Sequence, residues 1–263
     1  MTSKPFALVV LAAGKGKRLG ITGQKACVPV GGKPMIAHVL SAALPLSPSR
    51  IVVVVGHDAD TVRDILRQQS TQKISFVHQK EQLGTGHALL HALSPLSDFI
   101  GDILVLYGDT PLISTTTLKN LLNKHQRKQA IVTMLTAHVK NPGGYGRIKR
   151  DIQGYVSSIV EHKDATDEEK KISEINSGIY CFRSDKLWDA LRLITNNNAQ
   201  HEYYLTDIIP ILAESGEKIH SVTTRNSREI LGINTREQLD EARKILGSKR
   251  VIDNKAQKSG IVV

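Results

Sequence analysis

Aromatic residues are scarce in this sequence of 263 residues, and long apolar runs are missing. Phe, Trp and Tyr together make up 4% of the residues, so the interleaved basic and aromatic side chains on which nucleic-acid bases stack are lacking. We therefore expect no nucleic-acid partner. No apolar run approaches the roughly 20 residues that a membrane-spanning helix needs, and we expect no membrane association. The run Phe6–Ala13 passes straight into a loop of Gly and Lys, unlike a secretory signal peptide.

Cysteine is equally rare, since Cys27 and Cys181 are the only two and lie far apart. Neither belongs to a CxxC pair or a Cys/His cluster, so a structural zinc site lacks ligands. We expect two reduced thiols and a cytoplasmic protein. The formal net charge of +10 comes from scattered Lys and Arg residues. This charge favours small substrates that carry phosphate groups over a polyanionic partner.

Apolar runs that are typical of strands alternate with helical patterns through the first half of the chain. This alternation predicts βαβ units and an α/β fold with a mostly parallel central sheet, and the most apolar strands predict a sheet covered on both faces. The predicted strands are Phe6–Leu11, Ile51–Val55, Ile74–His78, Ile103–Tyr107 and Ile131–Ala137, and the predicted helices are Met35–Ala43, Asp60–Gln69, Gly86–Ala92 and Leu118–Arg127.

The second half predicts three short strands, followed by two helices that flank two further strands. The charged stretch Asp164–Lys171 predicts a solvated loop or short helix. From Gly247 the sequence is polar and basic, so we predict one domain over residues 1–246 and a tail or linker over residues 247–263. The predicted strands are Gly146–Arg150, Val156–Glu161, Ile179–Phe182, Ile219–Thr224 and Ile230–Gly232, and the predicted helices are Leu205–Ser215 and Gln238–Leu246.

The loop after the first strand, Leu11–Gly20, has the composition of a phosphate-binding loop. Its glycines allow the backbone to approach an anion closely, and Lys15, Lys17 and Arg18 supply positive charge. Leu19 replaces the third glycine of the dinucleotide-binding fingerprint, and no GK[ST] follows at the Walker spacing. A bare glycine turn is the alternative interpretation.

Seven blocks, in order, resemble those of the sugar-nucleotidyltransferases, beginning with a G-x-G-x-R signature at Gly14–Arg18. Together they resemble the uridylyltransferase domain of the bacterial family that joins N-acetylglucosamine-1-phosphate uridylyltransferase to glucosamine-1-phosphate acetyltransferase. The resemblance covers Ala7 to Leu239 and implies a Rossmann-like nucleotidyltransferase fold with a smaller sugar-binding β subregion. The other six blocks are Gln82–Ala88, Leu106–Ile113, Gly144–Ile148, Ile159–Thr166, Glu174–Ile179 and Glu202–Ile208.

The reaction that this resemblance implies is in-line attack of a sugar-phosphate oxygen on the α-phosphorus of UTP, with release of pyrophosphate and Mg²⁺ as cofactor. Positioning and charge neutralisation carry such chemistry, so no protein nucleophile is needed. The expected substrates are UTP and an N-acetylhexosamine 1-phosphate, first of all N-acetylglucosamine 1-phosphate. A sugar such as glucose 1-phosphate is one alternative, and a non-catalytic nucleotide-sugar-binding module is another.

The resemblance implies three catalytic residues, Arg18, Lys25 and Asp109, the first two as cations that contact phosphates. The family usually has proline before the lysine, whereas Gln24 stands there in this chain. This departure predicts a more mobile loop and a less defined position for Lys25.

Asp109 and Asn234 are implied as ligands of Mg²⁺, which prefers one or two protein oxygens and completes its octahedron with phosphates and water. Asp109 follows an apolar run and is expected at the carboxyl end of a central strand. The alternative interpretation is that Asp109 stabilises a turn and that Asn234 caps the helix that follows it.

Two pockets are implied for the substrates. An amide such as that of Gln79 offers both a donor and acceptors to the imide edge of uracil, and Glu161 and Asn176 can hydrogen-bond sugar hydroxyls or an acetamido group. The implied nucleotide-binding residues are Leu11, Ala12, Ala13, Gly14, Gly16, Gln79, Gly84 and Thr85, and the implied sugar-binding residues are Tyr107, Gly146, Glu161 and Asn176.

In the family, a left-handed β-helix of hexapeptide repeats follows, carrying acetyl transfer and most trimer contacts. The sequence contains no such repeat, so acetyl transfer by this chain is not expected. Its oligomeric state is left open.

Overall fold

The structure, a computed structural model, describes residues 4–16, 19–21, 23–56, 58–68 and 72–259. In this part of the chain, nine strands form one sheet and two short strands form a separate hairpin. The strands are β1 (Phe6–Ala12), β2 (Pro29–Val30), β3 (Lys33–Pro34), β4 (Arg50–Val55), β5 (Ile74–His78), β6 (Asp102–Tyr107), β7 (Val132–His138), β8 (Arg147–Arg150), β9 (Val156–Val160), β10 (Glu174–Arg183) and β11 (Ile219–Thr224).

The main sheet has the strand order β11-β7-β10-β6-β1-β4-β5, and the β8–β9 hairpin pairs with β10. Strands β5, β4, β1 and β6 are parallel neighbours, and so are β7 and β11, whereas β10 runs antiparallel to both of its neighbours. The predicted mostly parallel sheet with a smaller β subregion is confirmed. Since β1 and β6 are parallel, their carboxyl ends meet at one edge of the sheet, which is where open α/β sheets bind ligands.

Helices cover both faces of the sheet. Along β1, Val9 and Leu11 point into one core while Leu8 and Val10 point into the other, as the two-residue period of a strand requires. Helices α3, α6 and α7 cover the first face, and α1, α2 and α4 cover the second. The helices are α1 (Met35–Ala43), α2 (Ala59–Arg67), α3 (Thr85–Leu90), α4 (Thr115–Lys128), α5 (Asp167–Lys170), α6 (Ser184–Leu193), α7 (Ile208–Glu214) and α8 (Arg236–Ser259).

A third, smaller core lies beside the carboxyl ends of β1 and β6. It joins Leu19, Val30 and Leu112 to Ile233 and to the first turns of α8 through Leu239. Each of these segments lies next to one that carries a predicted site residue. The small core therefore fixes the backbone around the site independently of the two large cores.

Two elements differ from the sequence prediction at the end of the chain. The helix predicted to stop at Leu246 continues to Ser259. No proline interrupts this stretch, and its many Lys, Arg and Gln residues are good helix formers. The strand predicted over Ile230–Gly232 is wrong, because Ser227–Ile230 forms a 3₁₀ turn that Asn226 caps.

In the described part of the chain, none of the helices combines the length and the apolar character needed to cross a membrane.

Candidate active site

The loop after β1 forms the floor of a cavity at the carboxyl edge of the sheet. Leu11, Ala12, Ala13 and Gly14 line this cavity of about 330 Å³, and Gly14 and Gly16 also line a neighbouring cavity of about 480 Å³. Both cavities share Gly14, Lys25, Gln82 and Glu202 as walls. They therefore form one continuous cleft, in which the glycine-rich loop divides two compartments. We call them the base compartment (the 330 Å³ cavity) and the phosphate compartment (the 480 Å³ cavity).

Glycine is required at Gly84, on the rim of the base compartment. Its φ is +116°, and a Cβ there would lie 2.5 Å from the carbonyl oxygen of Tyr203. The close approach lets the backbone pair with Tyr203, whose N–H donates to Leu83 at 2.7 Å and whose carbonyl accepts from Gly86 at 2.8 Å. The side chain of Thr85 contacts the same distant segment, because its Oγ1 accepts a hydrogen bond from the N–H of Leu205 at 3.0 Å.

Gln79 lines the base compartment and is 2% exposed. Its Nε2 donates to the carbonyl of Gly84 at 3.1 Å and lies 3.0 Å from Nδ1 of His87. Both partners accept, so the amide is oriented with its donor end toward α3. The acceptor Oε1 is the end that this arrangement leaves for recognition of a hydrogen-bond donor.

Lys25, Asp109 and Asn234 meet at one point between the two compartments. The Nζ of Lys25 donates to Oδ2 of Asp109 and, at 2.8 Å, to Oδ1 of Asn234. Both side chains of this ion pair are partly exposed to solvent, Lys25 by 11% and Asp109 by 21% of its surface. Three segments that are distant in sequence thus present two oxygen atoms and one ammonium to the same cleft.

Asn234 does not cap α8. Thr235 does so, because its Oγ1 accepts from the N–H of Gln238 while Oε1 of Gln238 accepts from the N–H of Thr235, the reciprocal pattern of a capping box. The same Oε1 accepts from the N–H of Asn234 at 2.7 Å. The amide Nδ2 of Asn234 donates to Gly232 at 3.2 Å, which aims Oδ1 at Lys25.

The turn that carries Lys25 is anchored through the side chain of Gln24. The amide of Gln24 is 3% exposed and donates to the carbonyl oxygen of Ala12 at the end of β1. Lys25 begins a 3₁₀ turn that ends at Cys27, and its stem packs on Gly16, where a Cβ would come within 2.9 Å of Lys25 Cβ. The buried side-chain amide of Gln24 therefore restrains this turn through a hydrogen bond, whereas proline would restrain it by restricting the backbone.

The predicted sugar-binding residues form a second group, which adjoins the base compartment through Tyr107. A Cβ at Gly146 would lie 3.3 Å from Oε1 of Glu161, and the carbonyl of Gly146 accepts from the N–H of Asn176 at 2.9 Å. Asn176 begins a bulge in β10, and Gly178 in this bulge has a φ of +79° and faces the Tyr107 ring. Only glycine leaves room for that ring.

Burial changes the acidity of this second group. It raises the pKa of the Glu161 carboxyl, with nearby Asp207 and Asp164 contributing, while a hydrogen bond from Thr206 at 3.1 Å opposes the shift. Burial followed by repulsion from Asp164 raises the pKa of Asp207 to about 6. Burial also raises the pKa of the Tyr107 phenol. In each case burial stabilises the neutral form relative to the charged form.

The structure brings most of the predicted site residues into one cleft. Gly146, Glu161 and Asn176 line neither compartment. Arg18 and Lys17 lie outside the described residues. In the described part of the chain, no group of three or more His, Cys, Asp or Glu side chains could hold a metal ion. The residues gathered around the two compartments are Leu11, Ala12, Ala13, Gly14, Gly16, Lys25, Gln79, Gly84, Thr85, Tyr107, Asp109 and Asn234.

Two polar residues of the cleft were not singled out from the sequence. Gln82 and Glu202 line both compartments. Each begins one of the blocks that resemble the sugar-nucleotidyltransferases, which is the signal that could have found them. Nothing in their local spacing marks them, because the pairing of Leu83–Gly86 with Tyr203 that brings them together joins distant segments.

Comparison with known proteins identifies relatives of the whole fold. A family model described as Nucleotidyl transferase matches residues 7–232. The bifunctional protein GlmU of Geotalea uraniireducens is 47% identical over 241 residues, which cover 92% of this chain and 52% of that protein. GlmU of Listeria monocytogenes serotype 4a is 44% identical over 261 residues, covering 99% of this chain and 56% of that protein. The chain spans about half the length of the curated relatives it matches.

Among solved structures, UDP-glucose pyrophosphorylase in complex with UDP-glucose superimposes with a TM-score of 0.80. The match covers 93% of this chain and 99% of that chain at 19% sequence identity. At this identity the likeness concerns the fold, and it confirms the predicted nucleotidyltransferase architecture.

Proposed function

The chain belongs to the nucleotidyl transferase family, and on that premise we propose that it transfers the uridylyl group of UTP to N-acetylglucosamine 1-phosphate. A phosphate oxygen of the sugar attacks the α-phosphorus, the bond to the β-phosphate breaks, and UDP-N-acetylglucosamine and pyrophosphate result. The observation that carries this proposal is the convergence of Lys25, Asp109 and Asn234 beside the glycine-rich loop.

We assign the uracil to the base compartment. Backbone groups of Ala12, Ala13 and Gly14 line one side of it and Gln79 the other. Because the Nε2 of Gln79 is engaged by Gly84 and His87, its Oε1 is the atom to accept from the imide N–H of uracil. Cytosine has no such N–H, so this arrangement favours UTP over CTP.

The donor set at Asp109 and Asn234 fits Mg²⁺. A carboxylate oxygen and an amide oxygen both point at one cationic atom, the Nζ of Lys25, and these hard oxygen donors are the ligands that Mg²⁺ prefers. Bound there, Mg²⁺ would neutralise negative charge on the nucleotide phosphates.

The chain's own residues supply the remaining positive charge. Lys25 lines both compartments and Lys15 lines the phosphate compartment, and Arg18 is expected to follow them on the same loop. Their part is to orient the triphosphate for in-line attack and to stabilise the charge that develops on the leaving pyrophosphate.

We assign the sugar to the side of Tyr107 on which Gly146, Glu161 and Asn176 lie. The carboxyl of Glu161 can accept hydrogen bonds from a sugar hydroxyl or an acetamido N–H, and the amide of Asn176 can both donate and accept. A Cβ at Gly146 would lie 2.8 Å from Cγ2 of Ile159 and 3.3 Å from Oε1 of Glu161, so glycine at this position leaves room for the Glu161 carboxyl that we assign to the sugar. The cytoplasm is the compartment we propose, because Cys27 and Cys181 are both free thiols.

Pyrophosphate release from UTP tests this proposal. The acceptors are N-acetylglucosamine 1-phosphate, glucose 1-phosphate and glucosamine 1-phosphate, each with and without Mg²⁺. We expect release with the N-acetylated sugar, dependent on Mg²⁺ and reduced about 100-fold in Asp109→Asn, the loss that removal of one electrostatic contact to a transition state produces.

Asp167→Asn is the matched control, because it removes the same charge from a side chain that is 95% exposed and lines neither compartment. Preference for glucose 1-phosphate would retain the reaction and overturn the sugar assignment. Binding of UTP without turnover of any sugar would favour a non-catalytic nucleotide-sugar-binding module.

A further inference from the structure

The ammonium of Lys25 occupies the point on which the two proposed metal ligands converge. Its Nζ hydrogen-bonds to Oδ2 of Asp109 and to Oδ1 of Asn234, the latter at 2.8 Å. These are the same two oxygen atoms that would face a divalent cation. The ammonium of Lys25, a cation of the chain itself, therefore already lies between the two proposed metal ligands.

The base of the Lys25 side chain is held in place. Packing against Gly16 and the anchor from Gln24 to Ala12 hold the stem of Lys25, whose side chain is 11% exposed. The residues that carry the two oxygens are restrained as well: the side chain of Asn234 by its bond to Gly232, and the backbone of Asp109 by the bond that it accepts from Ile233 at 3.0 Å. The contact thus joins three residues that their surroundings hold in place.

Two cations cannot share this point. A metal ion bound to Asp109 and Asn234 would lie within a few ångströms of Nζ, and like charges at that distance repel strongly in a partly buried cleft. The side chain of Lys25 lines both compartments, so its Nζ can turn from the two oxygens toward the nucleotide phosphates by rotating about its own bonds.

We propose that Lys25 is a built-in competitor of the divalent cation: metal binding displaces its ammonium from Asp109 and Asn234 and thereby directs it to the nucleotide. The inference rests on the metal site of the proposed function and adds a coupling between two events, arrival of the metal and contact of Lys25 with phosphate. In the absence of nucleotide, the chain binds the metal weakly because Lys25 must be moved.

The binding of Mn²⁺ to the chain, measured by electron paramagnetic resonance in the absence of nucleotide and sugar, tests the competition. Lys25→Met is expected to bind Mn²⁺ about tenfold more tightly than the wild-type chain, within the usual range for two coupled ligands. Lys15→Met is the control, because it removes an equal charge from the phosphate compartment without touching either oxygen. A gain in Lys25→Met that does not exceed the gain in Lys15→Met would overturn the proposal.

A second measurement uses the wild-type chain and does not depend on a variant. Acetylation of Lys25 by a limiting amount of acetic anhydride, followed by mass spectrometry, reports how accessible its amine is. Adding Mg²⁺ is expected to raise the rate at Lys25 several-fold relative to NaCl of equal ionic strength, with Lys186, which is 48% exposed, as the internal reference. The effect is expected to vanish in Asp109→Asn, and an unchanged rate in the wild-type chain would contradict displacement.

Neither measurement involves turnover. A chain that releases no pyrophosphate but shows tighter Mn²⁺ binding in Lys25→Met would refute the proposed reaction and retain the competition. Release of pyrophosphate with equal Mn²⁺ affinity in all three proteins would do the reverse.

Discussion

The side chain of Gln24 is nearly completely buried and makes one hydrogen bond, from its amide to Ala12. In the described part of the chain, its Oε1 is one of a few buried polar atoms without a partner. An unpaired buried acceptor costs about 1–3 kcal/mol of folding free energy. Gln24 nevertheless stands at the position where a proline would restrict the same turn. The φ of Gln24 is −79°, which a proline can adopt.

Two substitutions of Gln24 distinguish the effect of its side-chain hydrogen bond from the effect of a restricted backbone. Gln24→Ala is expected to loosen the turn and to weaken UTP binding about tenfold, because Lys25 loses its fixed position. Gln24→Pro is expected to retain wild-type affinity, since it restricts φ directly and leaves no unpaired oxygen. Titration calorimetry with UTP measures both, and equal losses in the two variants would show that the amide itself contacts the ligand.

Asp207 makes the stability of the fold depend on pH. Its pKa of about 6 in the folded chain lies above the ordinary value of roughly 3.9 for an unfolded chain. The folded state therefore holds this proton more tightly, and the resulting stability is present below pH 4 and lost as the pH rises through 6. The group is partly solvated, which reduces the effect.

Replacement by a neutral amide removes that dependence. At pH 8, Asp207→Asn is expected to melt about 2 °C above the wild-type chain, the shift that about 0.5–1 kcal/mol produces in a domain of this size. At pH 4 the two melting temperatures are expected to coincide. Differential scanning fluorimetry across this range checks the sign, and a variant that is less stable at pH 8 would contradict it.

Among the elements, those with a single strong periodicity could be predicted from the sequence and those with mixed signals could not. Helix α1 was predicted with its observed bounds, Met35–Ala43, because its apolar residues recur at helical spacing. Strand β10 has ten residues, but only Ile179–Phe182 was predicted, because the polar segment Asn176–Gly178 interrupts the alternation. That interruption is the bulge on which the proposed sugar site depends.

Helix α6, Ser184–Leu193, was not predicted at all. Its first residue contacts the segment just before β6, where the N–H of Ser184 donates to the carbonyl of Gly101 at 3.0 Å, and Arg183 at the N-cap makes no side-chain capping hydrogen bond. The residues of the site were found through the blocks that carry the resemblance. Their grouping into a base compartment, a phosphate compartment and a separate sugar side was beyond the sequence, because it depends on pairing between distant segments.

The start of α8 sets the direction of Asn234, and one side chain controls it. Oε1 of Gln238 accepts from the N–H groups of both Asn234 and Thr235. Gln238→Ala is expected to cost about 1 kcal/mol of unfolding free energy, the usual value for a lost cap, and to lower kcat while leaving the KM for UTP unchanged. Gln238→Glu retains the acceptor and is expected to restore both. Chemical denaturation and steady-state kinetics measure the two effects, and an unchanged kcat in Gln238→Ala would limit Gln238 to a structural role.

On the scale of the whole molecule, the charge of +10 and the cleft act on the same ligand. A net positive charge attracts polyanions at long range, and salt screens that attraction over about 8–10 Å at physiological ionic strength. The cleft adds short-range contacts from Lys25 and from the backbone around Gly14 that depend on the shape of one nucleotide. The long-range term is shared by any polyanion, whereas the contacts are specific.

Raising NaCl from 50 to 300 mM is therefore expected to weaken UTP binding only several-fold, since a mononucleotide offers few phosphates to neutralise. A single-stranded oligonucleotide of mixed sequence is expected to leave UTP bound at 150 mM NaCl, because the aromatic platforms that hold successive bases are scarce in this chain. Fluorescence competition with a labelled uridine nucleotide measures both effects. Displacement of the label by the oligonucleotide at that salt concentration would mean that the positive surface, and not the cleft, dominates binding, and the case for a mononucleotide substrate would fail.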